Sequence, residues 1–110
     1  MATVYKVLAQ AAPSATTDTT LYTVPAATSA VVSTISISNQ AGSSGTYRIA
    51  VRPAADASTT QKHYIVYGAT VAASDSIMLT LGITLAAGDL IRVYASSADM
   101  AFSAFGSELS

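Results

Sequence analysis

His63 is the one histidine of this chain, and six acidic residues share the 110 positions with five basic ones and no cysteine. A lone imidazole without thiols cannot assemble a His-rich or Cys/His zinc site within one chain. Catalysis by His63 would need a nucleophile and an orienting carboxylate, and no serine here lies in a Gly-x-Ser-x-Gly elbow. His63 therefore reads as a structural or surface side chain on a strand. Asp18, Asp56, Asp75, Asp89 and Asp99 all fall in turns or strand ends, where an aspartate commonly caps local amides. They are too scattered for a glycosidase pair or a calcium loop. The glycines at 42, 45, 68, 82, 88 and 106 stand apart and open no helix, so they form no phosphate cradle. The sequence thus points to no catalytic residue, no metal and no cofactor.

Contact chemistry is the other possibility. Arg48 and Arg52 alternate outward on one segment, and Lys62 and Tyr64 lie on the strand expected beside it, as a small basic and aromatic patch. Phe102 and Phe105, three apart, point to opposite faces of a strand, which leaves at least one uncovered. Tyr5 and Lys6, on an N-terminal strand or arm, complete the candidate protein-contact residues.

These side chains need elements to position them, and the hydropathy pattern supplies strands. Val4 to Ala9 forms a first strand or arm, and Thr20 to Val24 a short one stopped by Pro25. Val31 to Asn39 alternates, with Val31, Ile35 and Ile37 assigned to the core, and Thr46 to Arg52 returns with Tyr47, Ile49 and Val51 inward. The glycine-bearing stretch 39–45 is expected to join these two as a hairpin. Lys62 to Tyr67 carries apolar groups on both sides and suits a strand covered on both faces. Asp75 to Leu81, Leu90 to Ala95 and Met100 to Phe105 follow, and no segment shows a helical period. The prediction is all-β: a single antiparallel β-sandwich of about eight strands spanning 1–110, jelly-roll or immunoglobulin-like in connection, with 1–9 as a strand or arm.

Composition narrows the partners. A net charge of −1 leaves no electrostatic footprint for nucleic acid, and no apolar stretch approaches the roughly 18 residues that cross a membrane; a soluble protein without an export signal is expected. Charged residues make up 10% of the chain, where soluble domains carry about 25%. Such a surface strands few charges when another protein covers it. By area scaling the folded chain should expose roughly 5,700 Å², enough burial for independent folding.

The runs Tyr5-Lys-Val-Leu-Ala-Gln10, Leu21-Tyr-Thr-Val-Pro25, Thr46-Tyr-Arg-Ile-Ala-Val-Arg-Pro53, Lys62-His-Tyr-Ile-Val-Tyr67, Leu79-Thr-Leu-Gly-Ile-Thr-Leu85 and Phe105-Gly-Ser-Glu108 resemble small virion structural proteins of tailed bacteriophages. With one sandwich and no fibre-like repeat, the chain looks most like a capsid decoration, or cement, protein. That resemblance implies a non-enzymatic homotrimer on the capsid exterior, with the major capsid protein or another virion protein as partner and capsid stabilisation as the role. Two alternatives stand beside it: a tail, neck or fibre-base module, and a carbohydrate-binding sandwich for host or mucus glycans in which Tyr64 or Tyr67 stacks on sugar.

Overall fold

The computed structural model describes residues 3–110, which form eight strands and one short 3₁₀ turn. The strands are β1 (Thr3–Ala11), β2 (Thr19–Thr23), β3 (Ser29–Asn39), β4 (Gly45–Arg52), β5 (Tyr64–Val71), β6 (Ser76–Leu85), β7 (Leu90–Ala95) and β8 (Met100–Leu109), with the 3₁₀ turn at Gln61–His63. Two four-stranded antiparallel sheets pack face to face, in the orders β1-β8-β3-β6 and β2-β7-β4-β5. First pairs with last, second with seventh, third with sixth and fourth with fifth. That nesting is a long antiparallel hairpin rolled onto itself, the jelly-roll, and it decides against an immunoglobulin-like connection.

Inward rows fill the space between the sheets. Ile35, Ile37, Ile49, Ile91, Val93, Met100 and Phe102 have no exposed surface, and the Phe102 ring meets Tyr47 edge to face at 6.3 Å. The accessible surface, 5560 Å², is close to what chain length predicts for a self-sufficient domain.

Three expectations are corrected. The 39–45 stretch is not a hairpin: β3 and β4 lie in different sheets, and the loop crosses between them. Buried Asn39 holds that crossing. Its Nδ2 donates to the carbonyls of Ser43, Val71 and Ala72 at 3.0, 3.1 and 3.2 Å, while its Oδ1 accepts from the Ala41 amide at 3.0 Å. The core phase of β3 also changes partway. Ser33 is an extra residue against β8, so Ala30 and Val32 point inward before it, Ile35 and Ile37 after it, and Val31 faces out. Finally, β5, at the edge of its sheet, is not covered on both faces, since Ile65 and Tyr67 are exposed, and Lys62 and His63 precede it in the 3₁₀ turn.

The Ser33 bulge is one of a line. Leu8 is the extra residue of β1 against β8, and β6 carries one against β3 between Thr80 and Ile83. Ser33 Oγ donates to the Phe105 carbonyl at 3.1 Å, and beside it the backbones approach so closely that a Cβ on Gly106 would lie 1.9 Å from the Val31 carbonyl oxygen.

Candidate interaction surfaces

The register of the β1-β8-β3-β6 sheet defines its outer face row by row. Tyr5, Ser107, Val31 and Thr84 form one row; Val7, Phe105, Thr34 and Thr80 the next; Gln10, Ser103, Ser36 and Met78 a third. Ala101, Ser38 and Ser76 lie beyond these at one end, and Thr3, Leu109 and Ser29 at the other. Among the described residues, no charged side chain stands in any row. The face is open to solvent: Tyr5 is 84% exposed and Met78, in another row, 69%, and Tyr5, Val7, Val31 and Phe105 line a groove of about 660 Å³ that Lys6 also borders. Four strands about 4.8 Å apart and ten residues long present roughly 600 Å², near the ~800 Å² per partner of a standard protein interface.

The two neighbours Tyr5 and Lys6 part company here. Alternation sends Lys6 to the inner side of edge strand β1, where its Nζ lies 2.7 Å from Glu108. Glu108 also accepts a hydrogen bond from the Tyr22 hydroxyl of the opposite sheet. Lys6 first, then Tyr22, hold the Glu108 carboxyl below its usual range, while burial and that carboxylate push the Tyr22 phenol up. Lys6 is therefore an inter-sheet clasp, not a free contact charge. Phe102 is likewise withdrawn from the contact candidates, being wholly buried, whereas Phe105 lies half-buried on the outer face.

The second sheet carries the other candidates on its outer side, where they do not form a continuous basic patch. Arg48 lies over the rings of Tyr67 and Tyr94, 4.3 and 4.1 Å from their centroids, a cation held between two aromatic faces. Arg52 runs beneath the 53–63 loop and donates to Thr59 Oγ1 at 3.3 Å. Lys62 Nζ is 3.8 Å from Asp56. Tyr64 packs edge to face on Tyr67 with ring centroids 5.0 Å apart.

His63 is buried in that loop, and its surroundings superficially suggest a relay. Nε2 lies 2.7 Å from Asp56 Oδ2, and Nδ1 accepts from the Thr60 amide at 2.9 Å. With Nδ1 occupied by a backbone N–H, the neutral ring places its proton on Nε2, facing Asp56. The Thr60 hydroxyl, 3.4 Å from Nδ1, has no free base to take its proton. The arrangement locks the loop, and the His63 bond is the main cause that keeps the Asp56 carboxyl below its ordinary range. Asp75 and Asp89 cap local amides as turn residues do, Asp75 that of Ser76 at 2.8 Å and Asp89 that of Ala86 at 2.8 Å, and Asp89 also accepts from the sequence-distant Ala54 amide at 2.9 Å. Asp18 instead pairs with Arg92 at 3.0 Å. No cluster of three potential metal ligands occurs among the described residues, and none of their helices is long and apolar enough to cross a membrane.

No family model matches the chain, and no curated protein is significantly similar to it.

Proposed function

We propose that this chain is a non-enzymatic structural protein of a phage virion, binding the outside of the capsid as a trimer and bridging neighbouring capsid subunits. The observation that carries the proposal is the uncharged outer face of the β1-β8-β3-β6 sheet. Covering Tyr5, Val7, Val31, Phe105 and Met78 removes apolar surface from water at about 25 cal/mol per Å², and the one charge that borders the groove, Lys6, already has Glu108 as its partner. A trimer offers three such faces, so weak single contacts combine through high effective concentration. Binding only the assembled shell stabilises it by mass action. The likeness of the Tyr5–Gln10, Thr46–Pro53 and Phe105–Glu108 runs to capsid decoration proteins supports the same reading.

Sedimentation equilibrium and a particle-binding assay test it together. The wild-type protein should be trimeric and should raise the temperature at which particles lacking it release DNA. Val31→Glu, which places a carboxylate in the middle of the uncharged face, should abolish that protection while keeping the monomer folded. A wild-type protein that stays monomeric and gives particles no added heat resistance would refute the proposal.

A further inference from the structure

On the opposite sheet, the 53–63 loop and the outward side of β5 enclose a groove of about 610 Å³, lined by Thr59, Thr60, Gln61, Tyr64 and Tyr67. Its volume is that of small-molecule sites, roughly 300–1,000 Å³. Three features of its construction suggest a ligand.

The first is the placement of the two tyrosines. Residues three apart on a regular strand face opposite ways. Here β5 carries an extra residue, Ile65, against Ile49 and Ala50 of β4, so Tyr64 pairs with Ala50 and Tyr67 with Arg48, and both rings emerge on the outer face. The second is rigidity. Arg48 braces Tyr67 against Tyr94, the Arg52 guanidinium fixes Thr59, and buried His63, bonded to Asp56, holds the Thr60 backbone. A site assembled before its ligand arrives loses less entropy on binding. The third is polarity. Every lining side chain is uncharged, Tyr67 keeps 65% of its surface exposed, and hydroxyl and amide groups surround the rings. The nearby cations are engaged, Arg48 between its rings and Lys62 with Asp56.

A ligand for this groove must be neutral, must present an apolar face to tyrosine, and must carry hydroxyls for threonine and glutamine. We propose that the groove binds a short neutral oligosaccharide, the C–H face of a pyranose ring stacking on Tyr67 and Tyr64 and its hydroxyls meeting Thr59, Thr60 and Gln61. The site lies on the sheet opposite the uncharged face and does not depend on the capsid reading.

An array of neutral glycans identifies the saccharide, and titration of that sugar into ¹⁵N-labelled protein maps the site by amide shifts. The expected result is saturable binding with shifts confined to Thr59–Gln61, Tyr64 and Tyr67. Tyr67→Ala should weaken it roughly tenfold, the upper end for one aromatic stacking contact, and Tyr67→Phe should largely retain it. Tyr67→Ala loses its contacts with Arg48 and Tyr64 and should melt a few degrees lower, so a single cooperative unfolding transition and a dispersed amide spectrum will show that it is folded. Silence across the array, shifts elsewhere, or undiminished affinity in Tyr67→Ala would each overturn the proposal, and binding of nucleotides instead of sugars would do the same.

Discussion

Replacing Asn39 with alanine removes one side chain that serves two crossings at once. The two N–H groups of the amide reach three carbonyls, one shared between two of them, and its oxygen accepts one N–H, the partners being Ser43 and Ala41 in the β3–β4 loop and Val71 and Ala72 at the β5–β6 turn. Each buried group left without a partner costs about 1–3 kcal/mol. Only the Val71 bond is fully buried, and water can reach the others in part. The net loss is then about 3 kcal/mol, a fall in melting temperature of roughly 15 °C for a domain of this size. Thermal and urea unfolding followed by circular dichroism measure it. Asn39→Asp sharpens the test, because it keeps the shape and the acceptor for Ala41 but turns a carboxylate toward three carbonyl oxygens. It should be at least as damaging as alanine at neutral pH. Its folded-state pKa would lie above the unfolded one, so the penalty relative to wild type should shrink as pH falls through that raised value. An Asn39→Asp protein as stable as wild type at pH 7 would refute the account of the crossing.

Gly106→Ala should destabilise the fold by at least about 3 kcal/mol, since its Cβ would sit 1.9 Å from the Val31 carbonyl and only backbone movement relieves that contact; denaturant titration checks it. Phe102→Ala should cost about 4 kcal/mol by opening a cavity against Tyr47, and Phe105→Ala far less, an order that paired melting curves will show. Glu108 and Asp56 both have lowered folded-state pKa values, so the stability they contribute is present above their unfolded values, near 4.5 and 3.8, and disappears as pH falls through the lower folded ones. Stability should therefore drop below about pH 4.5, and Lys6→Met should flatten the Glu108 part of that drop; melting temperatures across pH 2–7 decide it.

Most strands were legible because Val, Ile and Tyr alternate with Ser and Thr, and in β4 Tyr47 and Ile49 are buried as that alternation expects, although Ala50, expected outward, is buried too and Val51 only partly so. What escaped was local and geometric. Val31, Ile35 and Ile37 share one face at period two, so the apolar spacing gave no sign of the slip at Ser33 that turns Val31 outward and Val32 inward. A glycine-bearing loop between two strands looks like a hairpin whichever sheets its ends join; nothing local tells the 39–45 crossing from a tight return. The candidate patch of Arg48, Arg52, Lys62 and Tyr64 named residues on one side of one sheet, but the 53–63 loop that engages Arg52 and buries His63 is a tertiary arrangement without a periodic signature. Tyr67, the most exposed ring of the groove, appeared only as a possible sugar platform, because its outward pairing with Arg48 depends on the Ile65 bulge.

The partnership of Thr3 with Leu109 has a consequence for how the chain is made. The sheet neighbour of β1 is β8, so β1 lies without that neighbour while β2 to β7 are being made. Sequence-distant partners of this kind fold slowly, and the exposed row of Tyr5 and Val7 would meanwhile be open to chaperones or to other nascent copies.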